Sequence, residues 1–350
     1  MEGYKVMPKY NSRCLKEGES MIEVSVIIPL LNEEKNIKNL INTIKRQDFP
    51  HNKMEIIFVD GNSTDHTVDL IKEFMKDTDI AFEILENCER KTPISMNIGI
   101  KKAVGKYIIR FDGHTLYNEK YISLCLFYSK KTNADNVGCL IKNQGHGIVG
   151  KAIAAVLSSK FGVGNSDFRT SSKSGYVDTV PFGCFKKDLF NRIGYFDESL
   201  LRSEDNEFNA RIIKNGGNIF LFDEIENEYI PRDSIKSLLK MGYNNGKEII
   251  VTGITHPGTI RIRHLVPFLF FCSILIGILL GMFSPLFKYC FILELILYLI
   301  LDFYFTFMFR KRSTLISKIV EFLIYPLFHF FYGLGSCIGL IFYIFKKGVE

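Results

Sequence analysis

Three long apolar stretches close this chain, and they constrain its fold more than anything before them. "HLVPFLFFCSILIGILLGMFS" (264–284) contains no acid and no lysine, and "PLFKYCFILELILYLILDFYFTFMF" (285–309) is nearly as apolar. A third stretch, 319–345, is interrupted by Pro326, Gly333 and Gly335. Runs near 20 apolar residues match the thickness of a bilayer. Three in succession, with almost no polar face, argue against helices buried in a water-soluble core. We read 264–345 as a membrane region of two or three helices, the third either crossing or lying partly in the interface. Arg261, Arg263 and His264 precede the first stretch, and Arg310, Lys311 and Arg312 follow the second. Only Lys288 lies in the turn between them. The positive-inside rule puts both clusters, and everything N-terminal to them, on the cytoplasmic side of a multi-pass protein of the cytoplasmic membrane. Glu294 and Asp302 lie eight residues apart, on one face of the second stretch. Intramembrane acids are costly; function and pairing with a neighbouring span both stay open for these two.

The rest of the chain looks like a globular domain. Residues 1–21 read as a polar leader without the apolar core of a signal peptide. A formal charge of +6 and the lack of basic runs with interleaved aromatics in the first 250 residues argue against a nucleic-acid partner. The eight cysteines are scattered and form no C-x-x-C pair, which points to free thiols in a reducing compartment.

From Val24 to Asp112 the sequence alternates between two periods. "VSVIIPL" (24–30), "MEIIFVD" (54–60), "IAFEIL" (80–85) and "KYIIRFD" (106–112) read as buried strands. Between them, 32–47, 63–77 and 92–104 carry helical apolar spacing, with cap-type residues or Pro at their starts. This βαβαβαβ order predicts a parallel, doubly wound sheet. Ligands of such sheets bind outside the carboxyl ends of the strands, so the polar residues that close each strand are the ones to examine. Beyond residue 145 the regularity fades into a short helix and a Gly/Ser-rich loop within 146–185, a candidate lid. Helices follow over 186–194 and 204–217. The expected division is a domain over 22–250, a linker over 251–263 and the membrane region over 264–345.

Three acidic positions stand out. Asp60 closes the second strand, as a turn acid or as an acceptor for a nucleotide base or ribose. Asp112, Gly113 and His114 close the fourth. Asp-Gly is a common turn pair. A carboxylate and an imidazole two residues apart also suit one divalent ion, Mn²⁺ taking both donor types and Mg²⁺ preferring oxygen. Glu204 and Asp205 open a helix, where the dipole favours acids and also keeps a general base ionised. Glu207 ranks below Asp205 for that role.

"VSVIIPLLNEEKNIKNLINTIKRQDFP", "EIIFVDGNSTDHT", "NIGIKKAVGKYIIRFDGH" and "IGYFDESLLRSEDNEFNARIIKNGG" together resemble glycosyltransferase family 2 with the GT-A fold. "RFDGHTLY", "ADNVGCL", "AIAAVLSSKFGVGNSDFRT" and "VDTVPFGCFKKDLFNRIGYFDE" resemble, more narrowly, the membrane-associated transferases of exopolysaccharide assembly, succinoglycan type. The likeness runs from about Val24 to Gly246. It implies inverting transfer from a nucleotide-diphosphate sugar, UDP-sugar being the expected donor, to a lipid-linked or glycan acceptor, with Mn²⁺ or Mg²⁺ as cofactor. By position it implies nucleotide-sugar contacts from Pro29, Asn32, Glu33, Asp60, Arg90, Lys91, Asn97 and Asp112. Asp112 and His114 take the metal slot, and Asp205 takes the catalytic base. Glu204, Gly183 and Arg232 take supporting places at the acceptor side. Two departures matter: the metal motif is Asp-Gly-His, and Gly61 stands where the family often has a second acid. The Q-x-x-R-W motif of processive synthases is absent, so single-sugar addition is expected rather than extrusion of a polymer. The alternative is a membrane protein that binds a nucleotide sugar without turnover.

Overall fold

The computed structural model describes residues 22–170, 173–231, 234–309 and 314–347. The elements run β1 (Val24–Leu30), α1 (Ile37–Lys45), β2 (Met54–Asp60), α2 (Thr67–Met75), β3 (Ala81–Glu86), α3 (Thr92–Lys102), β4 (Tyr107–Arg110), β5 (Thr115–Leu116), α4 (Tyr121–Thr132) and β6 (Asn136–Asn143). They continue as α5 (Gly147–Leu157), α6 (Lys160–Val163), α7 (Asp167–Thr170), β7 (Gly175–Tyr176), β8 (Cys184–Lys186), α8 (Leu189–Ile193), α9 (Glu204–Lys214) and β9 (Ile219–Tyr229). The helices α10 (Ile235–Thr255), α11 (Ile262–Gly281), α12 (Pro285–Phe303) and α13 (Leu315–Lys347) complete the chain.

The chain divides into two compact units, 1–142 with 171–229 and 143–170 with 230–350. In the first, one mixed sheet runs β3-β2-β1-β4-β8-β6-β9-β5, with β7 on β9. The strands β1 to β4 are parallel where they pair, as their near-continuous apolar runs require for burial on both faces. Val26, Ile27, Ile28, Ile56 and Phe58 are buried in this core, as are Ile37, Leu40, Ile41 and Ile44 on the apolar face of α1. The register sets Leu30 beside Asp60 and Asp60 beside Glu86. Their carboxyl ends are therefore level, and the loops that follow leave from one edge.

The second unit differs from the expected division. The segment 143–170 groups with the C-terminal helices instead of the domain expected over 22–250. The reason is apolarity: in α5, Gly150 and every residue from Ala152 to Leu157 are buried, so this helix needs helices as neighbours. It packs with Leu238, Ile324, Tyr325 and Phe328. The Gly/Ser-rich stretch expected as a lid holds α6 and α7. The expected linker is helical to Thr255, which leaves 256–261 as the connection to α11.

Among the described residues of this unit, three helices are long and apolar enough to cross a membrane: Ile262–Gly281, Pro285–Phe309 and Leu315–Phe345. The third is unbroken, contrary to the interruption expected at Pro326, Gly333 and Gly335. The two glycines serve packing. A Cβ on Gly333 would fall 2.2 Å from the Pro267 carbonyl oxygen, and one on Gly335 would fall 2.0 Å from that of Tyr243. Glu294 accepts a hydrogen bond from Ser273 of the neighbouring helix α11 at 2.5 Å, and buried Asp302 accepts one from Thr306 at 3.1 Å.

Candidate active site

The polar residues at the carboxyl edge of β1–β4 are stitched together. Ser63 donates its backbone N–H to Asp60 Oδ2 at 3.0 Å and its hydroxyl to Asp60 Oδ1 at 2.5 Å. The Asn32 backbone N–H donates to Ser63 Oγ at 2.9 Å, and Asn32 Oδ1 accepts from the Thr64 N–H at 2.8 Å. Asp60 is thus buried as the acceptor of its own turn, with Asn32 tied to the same turn. Asn32, Asn62, Arg90, Phe182 and Ser203 all hold positive φ, between 53° and 65°. Four of these five leave β1, β2 or β3 or lead into α9. Such conformations cost on the order of 1 kcal/mol each and gather where function constrains the backbone.

The Asp-Gly-His turn after β4 has a specific reason for its glycine. A Cβ on Gly113 would lie 2.8 Å from Glu33 Cγ and 2.9 Å from Leu30 Cδ2. The missing side chain lets Glu33 lie across the turn, with Oε1 at 3.3 Å from His114 Nδ1 and Oε2 accepting from Asn36 Nδ2 at 2.7 Å. The His114 ring also meets Tyr229 edge-on at 5.2 Å. Asp112 receives a second brace, its backbone N–H donating to the Tyr117 hydroxyl at 2.7 Å. Tyr117 stacks on Phe111 with 3.6 Å between ring centres, and burial with the Asp112 charge pushes its phenol well above the ordinary range.

A residue not singled out in the sequence joins the two acidic motifs. Arg110, the last residue of β4, donates from Nε to Asp112 Oδ1 and from Nη1 to Glu204 Oε1, both at 2.9 Å. Burial works against its charge, but the Asp112, Glu204 and Asp205 carboxylates outweigh it and raise the guanidinium pKa. The signal was present: Arg110 is a cation closing an apolar strand two residues before Asp112. Asp205 follows Glu204 in the first turn of α9. Burial and the Glu204 charge push its carboxyl up to about 6, against the opposing pull of Arg110. Glu207 is engaged elsewhere, gripped by Arg211 through two hydrogen bonds of 2.8 and 2.6 Å.

The remaining expected residues are placed as follows. Pro29 lies in β1 beside Val59. Arg90 donates to the Asn62 carbonyl at 3.3 Å, and Lys91 donates to that of Glu198 at 3.2 Å. Asn97 is buried with both ends of its amide in use, donating to the Phe196 carbonyl and Glu198 Oε1 and accepting from the Phe196 N–H. Gly183 packs on Asn136, and its carbonyl accepts from the Arg110 N–H at 3.2 Å. Arg232 lies outside the described residues.

Comparison with known proteins agrees with this architecture. Residues 25–181 match the family model Glycosyl transferase family 2. The chain is 29% identical over 261 residues to a dolichyl N-acetyl-α-D-glucosaminyl phosphate 3-β-D-2,3-diacetamido-2,3-dideoxy-β-D-glucuronosyltransferase of Methanococcus voltae, covering 72% of this chain and 80% of that one. It is 27% identical over 245 residues to the succinoglycan biosynthesis protein ExoA of Rhizobium meliloti, covering 69% and 73%. In fold it is similar to the mannosyltransferase PcManGT of Pyrobaculum calidifontis, solved with GDP-Man and Mn²⁺, at a TM-score of 0.52 and 17% identity over 76% of this chain and 71% of that one. The fold is thus the GT-A fold, and the likeness to glycosyl transferase family 2 extends over residues 25–181.

Proposed function

We propose that this chain is an inverting, metal-dependent glycosyltransferase that adds single sugars from a nucleotide-diphosphate sugar, expected to be a UDP-sugar, to a lipid-linked glycan. The observation that carries the reading is the edge at which Asp112, Glu204 and Asp205 surround one arginine beside the strand-end loops. The Methanococcus voltae relative is named for transfer to a dolichyl phosphate-linked sugar, and three helices here are long enough to cross a membrane. Both support a lipid-linked acceptor.

In this reading Pro29, Asn32, Glu33 and Asp60 receive the nucleotide, Arg90 and Lys91 add positive charge near the diphosphate, and Asn97 fixes the Phe196–Glu198 segment to which Lys91 also donates. Arg232 is assigned to a diphosphate or lipid phosphate, and Glu204 and Gly183 support the acceptor side. Asp205 takes the proton of the acceptor hydroxyl as that oxygen bonds to the anomeric carbon from the face opposite the diphosphate. The anomeric C–O bond to the diphosphate breaks in the same displacement, so an α-linked donor gives a β-linked product. With its pKa near 6, Asp205 is ionised at neutral pH and still basic enough to accept a proton.

The donor set fits a divalent cation shared with the substrate. Among the described residues no three His, Cys, Asp or Glu side chains come together as a cage. Asp112 and His114 sit on one turn, and three carboxylates face one guanidinium, a net charge of about −2 that repels a bare diphosphate. Asp112 and His114 would hold the ion, which when bound neutralises the leaving diphosphate. The domain is assigned to the cytoplasmic side of the membrane.

The test is a panel of labelled UDP- and GDP-sugars with membranes that contain the full chain. We expect label in the lipid fraction with one donor, loss of transfer in EDTA and recovery with Mn²⁺. Donor binding without transfer across the panel would favour a binding protein and overturn the reading. Full transfer in EDTA would remove the metal. Asp205→Asn should bind UDP normally and lose about 10²- to 10⁴-fold in kcat, the usual weight of a general base.

A further inference from the structure

Arg110 is the feature that the proposed chemistry does not use. Its side chain is only 13% exposed, and its partners Asp112 and Glu204 are 17% and 10% exposed. One carboxylate follows strand β4 and the other opens a helix, 94 residues after Arg110 in sequence. A guanidinium is a planar fork whose Nε and Nη1 donors keep a fixed angle, so two acceptors bound to it are held in a fixed mutual position. We propose that Arg110 is a positioning residue that sets the distance between the donor-side acid Asp112 and the acceptor-side pair Glu204-Asp205. The inference rests on the transferase reading above, because it assigns that separation to the separation of leaving group and base.

The local structure supports a fixed fork. The Arg110 backbone N–H bonds to the Gly183 carbonyl, and β4 is held on both sides, by β1 and by β8. Asp112 is braced from behind by Tyr117, so the carboxylate and the guanidinium both have anchored backbones. The helix α9 has no side-chain N-cap, and its preceding residue Ser203 holds φ of +65°. Glu204 is therefore tied at its carboxylate by Arg110 while its backbone follows a strained turn. Misplacement of reacting groups by about 1 Å costs on the order of a hundredfold in rate.

The experiment is a double-variant cycle on the full chain in membranes with the active donor, reading kcat, donor KM and UDP binding. Arg110→Gln and Glu204→Gln should each lower kcat about a hundredfold with donor KM changed less than about threefold, and the double variant should fall no further than the worse single one. Arg110→Lys keeps the charge and loses the fork, and it should remain at least about tenfold below the parent. Additive losses, or full kcat in Arg110→Lys, would overturn the positioning role. If Arg110→Gln does not fold, as judged by melting and UDP binding, the Arg110→Lys and Glu204→Gln pair carries the cycle. A parent chain inactive with every donor overturns the transferase reading and this proposal with it. An active parent with additive losses overturns this proposal alone.

Discussion

The Asp205 carboxyl is the residue on which pH dependence should turn. Burial and the Glu204 charge push its pKa up to about 6, so the base proposed for the transfer is protonated below that pH. We expect kcat/KM to rise with pH through an inflection near 6. Glu204→Gln removes a negative neighbour that raises this pKa and should move the inflection to lower pH; a pH–rate profile that stays put would detach Asp205 from the acid limb. Gly113 makes a second prediction. An alanine there meets Glu33 Cγ at 2.8 Å and displaces the carboxylate from His114. Carboxylate partners that orient a metal-binding histidine are worth about 10- to 100-fold in affinity. Gly113→Ala should therefore raise the Mn²⁺ concentration for half-activation by at least about tenfold, with little change in UDP binding without metal. At this scale Asp60, Asp112, His114 and Asp205 were legible as polar residues at strand ends and a helix start. The reason for the glycine between Asp112 and His114 was not, because Glu33 approaches it from 80 residues away.

Among the elements, α10 and α13 carry an argument of their own. Gly242 and Gly246 on α10 are four residues apart, as are Gly335 and Gly339 on α13. A Cβ on Gly246 would lie 2.0 Å from the Tyr332 carbonyl oxygen, and one on Gly339 would lie 2.4 Å from that of Lys247. The two helices thus meet backbone to backbone, the arrangement that small-x-x-x-small spacing permits. Gly246→Leu has nowhere to place its side chain. Overpacking of this kind costs about 1–3 kcal/mol. We expect a lower melting temperature for the detergent-solubilised chain, while Gly258→Ala, whose Cβ would meet nothing within 4 Å, provides a comparison limited to backbone strain at φ +99°. Glycines that look like interruptions of an apolar run are here its contact surface. That is why the third stretch reads as broken in sequence yet folds as one helix.

For the whole molecule, we expect all three long apolar helices to cross, which would put the two chain ends on opposite sides of the membrane. Reporter fusions at residues 1 and 350 should then give opposite compartments, and carbonate washing should leave the chain in the membrane fraction. Matching compartments would reduce the spans to two. Much at this scale was readable from sequence alone. Apolar length determined which helices are long enough to cross a membrane, and alternating periods determined the order of strands and helices, because both follow from local geometry. Parallel order also determined that the strand-end residues share one edge. The tertiary structure alone decided that 143–170 belongs with the C-terminal helices, since that depends on which surfaces are left to bury α5. It alone decided that Arg110 joins Asp112 to Glu204, because a contact across 94 residues leaves no periodic trace in the chain.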